Sequence, residues 1–326
     1  MDSFLFALNA VLPIIVMVFI GYFIKKTGLV DSSISKPLNK IVFRVLLPVL
    51  LFVNIYKMEG FAGIRGGFII YAAAVTVLLF IIAIPITSLI TREKPKRGAL
   101  IQGVFRSNYA LLGIPLAESL YGAEGLGEAT LLSAICIPLF NVLAVITLSI
   151  YGNGQKKVKV KRVALDIIKN PLIIGVAMGI LALCIREIFI YGDVSFRLYD
   201  VKPIYTVLEY LSRCATPIAL ISLGIEFEFS AIRELKREII FGVISRIVAV
   251  PVLSLSVAIL IFNFTGAQYA ALFALFATPV AVSSVPMAHE MGADARLAGQ
   301  LVIWDTAVSG LTIFLFAFVL RAVGVF

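Results

Sequence analysis

Apolar residues gather in ten long runs, at 4–24, 38–56, 67–91, 98–121, 128–151, 170–190, 203–225, 237–262, 267–290 and 297–320, each bounded by charged or turn-forming residues. Runs of about 20 mostly apolar residues match the hydrocarbon thickness of a bilayer. Backbone polar groups find no partner in lipid, so such runs must be helices; barrel strands would be shorter and would alternate. The expected fold class is an all-α membrane protein of ten transmembrane helices. Composition agrees: of 326 residues 61% are hydrophobic and 14% charged, with mean hydropathy +1.05. A soluble domain holds nearer half apolar and a quarter charged. Short loops leave no room for a nucleotide-binding domain, which excludes an ATP-driven pump within this chain. The first run follows Asp2 with no basic segment ahead of it, so it reads as the first helix and not as a cleaved signal.

A formal charge of +9 changes the picture only once its placement is known. The cations sit in short loops between apolar runs, so they point to the lipid bilayer as partner and exclude nucleic acid. Alternate loops, beginning with Lys25, Lys26, Lys36 and Lys40, hold eighteen Lys and Arg residues; the others and the C-terminus hold six. Cytoplasmic loops carry the excess of Lys and Arg. Both termini are therefore expected outside and the 152–169 loop inside, in the inner (cytoplasmic) membrane of a cell. Cys136, Cys184 and Cys214 lie inside apolar runs without metal spacing and predict neither a disulfide framework nor a metal site.

Two local matches suggest an internal repeat. Arg44-Val-Leu-Leu-Pro48 in the second run recurs as Arg213-Cys-Ala-Thr-Pro217 in the seventh. Gly113-Ile-Pro115-Leu-Ala117-Glu118 in the fourth faces Ser284-Val-Pro286-Met-Ala288-His289 in the ninth. Five spans per half, an odd number, force the halves to be inverted: 1–151 and 170–326, joined by the basic 152–169 loop. Matching interruptions in two halves are a pointer to a transporter's binding site. Seven residues before Pro115 stands Asn108, and seven before Pro286 stands Pro279. Proline within a helix removes a hydrogen bond and clashes with the preceding turn, but is tolerated in the first turn of a new helix. Span 4 thus reads as a half-helix ending near Asn108 and a second starting at Pro115. Span 9 reads as broken across Thr278 to Val285, with a restart at Pro286. Where two such spans cross, half-helix N-termini favour an anion and opposing carbonyls favour a cation.

The stretch Asn108 to Gly122, NYALLGIPLAESLYG, resembles the span-4 signature of the auxin efflux carrier family, which includes plant PIN proteins and bacterial malate and malonate permeases. Pro279 to Gly292 resembles the matching span-9 element, and Pro138-Leu-Phe-Asn141-Val resembles span 5 of bacterial members. Ser107, where plant members often have Pro, and the short central loop favour the bacterial permease type. The resemblance implies a fold like sodium–proton antiporters and bile-acid symporters. It implies a scaffold of spans 1, 2, 6 and 7, a transport core of spans 3–5 and 8–10, crossed broken helices 4 and 9, and elevator-like alternation. Asn108, Pro115, Pro279 and Pro286 match its crossover motif.

Ionisable residues at membrane depth cost at least about 2.5 kcal/mol on insertion scales and are functional candidates by default. Arg44 can snorkel to the inner surface, and it and its repeat partner Arg213 are read as structural. Arg106, Arg246 and Asp305 lie eight to nine residues from the cytoplasmic starts of spans 4, 8 and 10. At about 1.5 Å per residue they share one depth. Asp305 either forms a structural ion pair with one arginine or serves coupling. Glu118 and His289, the single histidine, are equivalent in the repeat. Candidate substrate-binding residues are Asn108, Gly113, Pro115, Asn141, Pro279, Ser283, Ser284, Pro286 and Arg106; candidate coupling residues are Asp305, Arg246, Glu118 and His289. No nucleophile elbow, phosphate loop or metal cluster appears, so no enzyme and no cofactor are expected. The expected function is secondary transport of a small organic acid such as malate or malonate, with proton or sodium coupling and a homodimer both left open. The alternative is a membrane sensor that binds a similar ligand without moving it.

Overall fold

The computed structural model describes residues 2–58, 66–152, 164–165, 167–322 and 324–325. Among them the regular secondary structure is helical, apart from one isolated antiparallel bridge between Ser107 and Val280. The helices are α1 (Asp2–Lys26), α2 (Ser35–Ile41), α3 (Leu47–Tyr56), α4 (Gly66–Ile90), α5 (Lys94–Phe105), α6 (Ile114–Tyr151) and α7 (Pro171–Tyr191). There follow α8 (Lys202–Glu226), α9 (Ser230–Glu234), α10 (Lys236–Ile244), α11 (Val250–Leu260), α12 (Gly266–Ala277), α13 (Ser284–Glu290) and α14 (Ala295–Ala322). Six helical stretches, Ser32–Tyr56, Gly67–Ile90, Tyr109–Tyr151, Pro171–Tyr191, Lys236–Leu260 and Ala295–Ala322, are long and apolar enough to cross a membrane. Of the basic-loop residues expected to fix the topology, Lys156, Lys157, Lys159, Lys161 and Arg162 lie outside the described residues, as does Arg65 of the opposite set.

Proline shapes several of these helices in one recurring way. A wide π-helical turn precedes Pro48 (Val42–Leu46), Pro115 (Tyr109–Gly113) and Pro251 (Ser245–Ala249), ending two residues before the ring each time. The ring would clash with the carbonyl four residues back, and a widened turn there relieves the clash while the helix continues. Arg44 and Arg246 both sit inside such turns. Gly122 bends the long helical stretch that follows the second of these prolines, Pro115. With φ +62 and ψ −148 it takes a conformation that L side chains avoid, and α6 doubles back between Tyr121 and Gly122.

Helices α1 and α8 pack together, as do α3 and α7, and α8 also packs on α3. The first crossing is very close. A Cβ at Gly21 would stand 2.2 Å from the Ile221 carbonyl oxygen, and one at Gly224 would stand 2.0 Å from that of Val18. Small residues let membrane helices approach backbone to backbone, where dispersion substitutes for a hydrophobic driving force. Beside this group, α12 packs on α6, α4 on α5, and α13 on α14. Phe23, Ile70, Leu89, Ile188, Leu253, Leu260 and Phe318 stay exposed on the outside of the bundle. Apolar surface this extensive suits a lipid environment.

Candidate functional site

Two helix interruptions meet in the middle of the bundle. Helix α5 ends at Phe105, Arg106 to Asn108 run extended, and the chain becomes helical again at Tyr109. Helix α12 ends at Ala277, and α13 begins at Ser284. The two extended stretches pair: the Asn108 N–H donates to the Pro279 carbonyl at 2.8 Å, and Ser107 Oγ and Thr278 Oγ1 share a hydrogen bond of 2.6 Å. Both restarts differ from the sequence expectation. Asn108 does not end the first half-helix of span 4; it caps the second, its carbonyl accepting from the Leu112 N–H at 3.0 Å. The π-helical turn lets the helix begin six residues ahead of Pro115. In span 9 the restart comes two residues before Pro286, and α13 is only seven residues long, so its dipole is small.

Pairing the two breaks leaves carbonyls to satisfy. Pro279 has no N–H for the carbonyl of Leu275, four residues back. Asn108 gives its N–H to Pro279 and so cannot serve Val104. Arg246 takes up both: Nη2 donates to the Leu275 carbonyl at 3.1 Å, Nη1 to that of Val104 at 3.2 Å, and Nε to that of Thr278 at 2.9 Å. Its side chain is fully buried, and Asp305 is the charge that faces it. Asp305 is also fully buried, and the backbone of Val280 is beside it, but neither carboxylate oxygen makes a well-aligned hydrogen bond among the described residues. The expected shared depth therefore resolves into an Arg246–Asp305 charge interaction without a close ion pair, and Arg106 stands apart.

Arg106 faces the opposite side of the crossover. Its Nη1 donates to Gln102 Oε1 at 3.0 Å and Met287 Sδ at 2.7 Å, and its Nη2 to Asn141 Oδ1 and Ser283 Oγ, each at 2.9 Å. All four acceptors are neutral, and no carboxylate lies within 4 Å of it among the described residues. The guanidinium is 3% exposed, so a buried positive charge stands without a counter-ion. Next to it, the Asn108 amide nitrogen has no hydrogen-bond partner among the described residues.

Both residues line a cavity of ≈ 800 Å³, with walls from α1, α3, α8 and the two breaks. Of the residues singled out from sequence, Arg106, Asn108, Pro115, Asn141 and Ser283 line it. Gly113 packs instead against Tyr109, where a Cβ would stand 2.2 Å from the ring. Pro279, Ser284 and Pro286 are buried behind the wall, and Glu118 is exposed away from it. His289 lies at a seam, 3.6 Å from Glu226, with Arg44 reaching Glu290 at 3.4 Å and Asn39 reaching Glu226 at 3.3 Å. The sequence reading missed Lys57 and Arg213, both of which line the cavity. The signal for Arg213 was its place ten residues into an apolar run, too deep for easy snorkelling.

A mostly apolar helical bundle, interrupted at two crossing helices beside a cavity with buried polar groups, defines a polytopic membrane transporter. The chain belongs to the membrane transport protein family, the auxin efflux carrier or PIN-like family, whose pattern matches residues 6–317. An uncharacterized transporter of Methanocaldococcus jannaschii is 27% identical over 96% of this chain and 98% of its own length. An uncharacterized transporter of Methanothermobacter thermautotrophicus is 22% identical over 97% of this chain and 99% of its own.

Proposed function

We propose that this chain is a secondary transporter of a small organic anion, a carboxylate such as malate or malonate, bound where the broken helices cross. The carrying observation is the buried Arg106 charge, which no acid neutralises among the described residues, beside an Asn108 amide nitrogen likewise without a partner there, on the cavity wall. Buried charges are ordinarily paired, because an isolated one gives up several kcal/mol of hydration. A bound carboxylate would supply the missing counter-ion and accept from Asn108. The helix restarting at Tyr109 adds unpaired N–H groups and the positive end of its dipole.

The reading extends to movement. The full arrangement is ten spans in two inverted halves, with α1–α3, α7 and α8 as scaffold and the remaining spans as a sliding core. The cavity reaches Asn54 and Lys57 at one end of α3, whereas the Arg44–Glu290 and Glu226–His289 contacts join scaffold to core at the other. In the orientation that the charge asymmetry supports, this is an outward-open state closed on the cytoplasmic side. An elevator stroke would part those contacts. Asp305, fully buried behind the crossover, is the group proposed to couple transport to protons.

Uptake of labelled malate, malonate and related acids into proteoliposomes, with and without pH and sodium gradients, tests the reading. Saturable uptake that collapses in Arg106→Gln and Asn108→Ala protein is expected. Binding of such acids with no transmembrane movement under any gradient would instead favour a sensor.

A further inference from the structure

Glu226 is the last residue of α8, so its carboxylate stands at the negative end of that helix dipole. Across the seam, His289 sits in the last turn of α13 with Nε2 3.6 Å from Glu226 Oε1. Asn39 of α2, fully buried, donates its Nδ2 to the same Oε1 at 3.3 Å. The two titratable side chains are mostly covered, His289 being 19% and Glu226 24% exposed. His289 Nδ1 is buried without a partner among the described residues, so nothing there fixes the tautomer and Nε2 can donate or accept.

The surrounding charges decide what a proton does here. Burial pushes the Glu226 carboxyl, just past the apolar run 203–225, up to about 7, against the pull of Lys25 on α1 and Lys36 on α2. Glu290 and Lys36 bear on the imidazole with opposite signs. Other charges around the seam are engaged elsewhere. Arg44 faces Glu290 at 3.4 Å, Arg296 of α14 holds Glu228 and Glu234 at 3.0 and 2.6 Å, and Lys96 of α5 holds Glu93 at 2.6 Å. Without a proton to share, a carboxylate is buried at a helix C-terminus opposite a neutral ring. With one, the pair becomes imidazolium and carboxylate, or acid and imidazole, and either form bonds across the seam with its charge answered. The first proton is therefore held more tightly with the seam closed than with water in it, and by linkage it favours closure. The contribution is present below neutrality and is lost as pH rises above it. A cavity of ≈ 260 Å³, lined by both residues with Glu228, Arg296 and Gln300, gives water access to the pair.

Resting on the proposed elevator movement, we infer that Glu226 and His289 form a proton-operated latch: one proton taken from the cytoplasmic side locks the core against the scaffold, and its loss frees the stroke. Acidification of the cytoplasm then holds the carrier outward-facing. The neighbouring Arg44–Glu290 ion pair adds closure that does not depend on this proton. The site is separate from Asp305, which lies behind the crossover.

Electron paramagnetic resonance distances between spin labels at Thr27→Cys, just past α1, and Lys94→Cys, at the start of α5, read the seam. The protein is full-length, in nanodiscs, with Cys136, Cys184 and Cys214 replaced by alanine. Closed and parted distances are expected, their ratio rising about tenfold from pH 8 to pH 6, the scale of one proton held about tenfold more tightly in the closed form. Glu226→Gln imitates the protonated carboxyl and should stay closed at both pH values. His289→Gln should reduce the response to less than threefold, while Glu290→Gln should lower the closed share at both pH values and keep the response. Two distances whose ratio ignores pH, or a full response in both Glu226→Gln and His289→Gln, overturns the latch and leaves the elevator standing. A single distance at both pH values in the parent and in Glu290→Gln, with and without malonate, overturns the elevator and the latch with it.

Discussion

Two arginines flank the same crossover and are held in opposite ways. Arg246, behind it, spends its donors on three backbone carbonyls, two of which (Leu275 and Val104) Pro279 and the Asn108–Pro279 pairing leave unserved. Arg106, in front, donates to side chains of Gln102, Asn141, Ser283 and Met287 and shares a wall with the cavity. Backbone carbonyls at helix C-termini are fixed dipoles, so Arg246 is in effect a bound cation closing the two half-helices. Side-chain acceptors can turn away, so the Arg106 charge can be shared with a ligand. One arginine builds the crossover and the other serves it.

The sharpest way to break the comparison is at Arg246. Arg246→Met orphans three buried carbonyls, each at a cost of about 1–3 kcal/mol, and exposes Asp305 to an uncompensated burial. Folded, monodisperse protein is expected to fall sharply in fluorescence-detected gel filtration. Wild-type yield and melting temperature would remove Arg246 from its structural role. Arg106→Gln keeps a polar side chain among the same neutral acceptors, so a shift of only a few degrees in melting temperature is expected. Anion affinity should drop by about 10- to 150-fold, the loss of a hydrogen bond to a charged group. A collapse in stability with unchanged affinity would make the two arginines alike. Asp305→Asn is nearly isosteric and should change stability least, since neither carboxylate oxygen makes a well-aligned hydrogen bond among the described residues. It is expected to abolish pH-driven accumulation in proteoliposomes while counterflow exchange continues. Accumulation at the wild-type level would end the coupling role.

The helical runs and the two interruptions were legible in the sequence, because hydrophobic length and intramembrane prolines are local signals. The restart points were misplaced because proline marks only the first turn of a straight helix. The π-helical turn at Tyr109–Gly113 absorbs the ring of Pro115 and moves the true start back to Asn108. Equivalence between halves carried less than expected. Glu118 and His289 match in sequence, yet Glu118 is exposed while His289 sits 3.6 Å from Glu226 at the seam. Which arginine would face Asp305 depended on helix rotation, which periodicity does not resolve when a span is apolar all round. Arg213 reads as structural from sequence because its repeat partner Arg44 can reach the inner surface, and only the three-dimensional packing of α8 on α1 and α3 sets it on the cavity wall.

The Asn108 amide nitrogen is buried at the cavity wall and has no hydrogen-bond partner among the described residues. Calorimetric binding of malate or malonate to purified wild type and Asn108→Ala, alongside both melting temperatures, tests its role at the site directly. Removing the amide should weaken binding by about 5- to 150-fold, or 1–3 kcal/mol, with melting temperature and folded yield unchanged. Unchanged affinity with a lowered melting temperature would mean that Asn108 only ties up loose backbone, and would contradict a substrate site at the crossover.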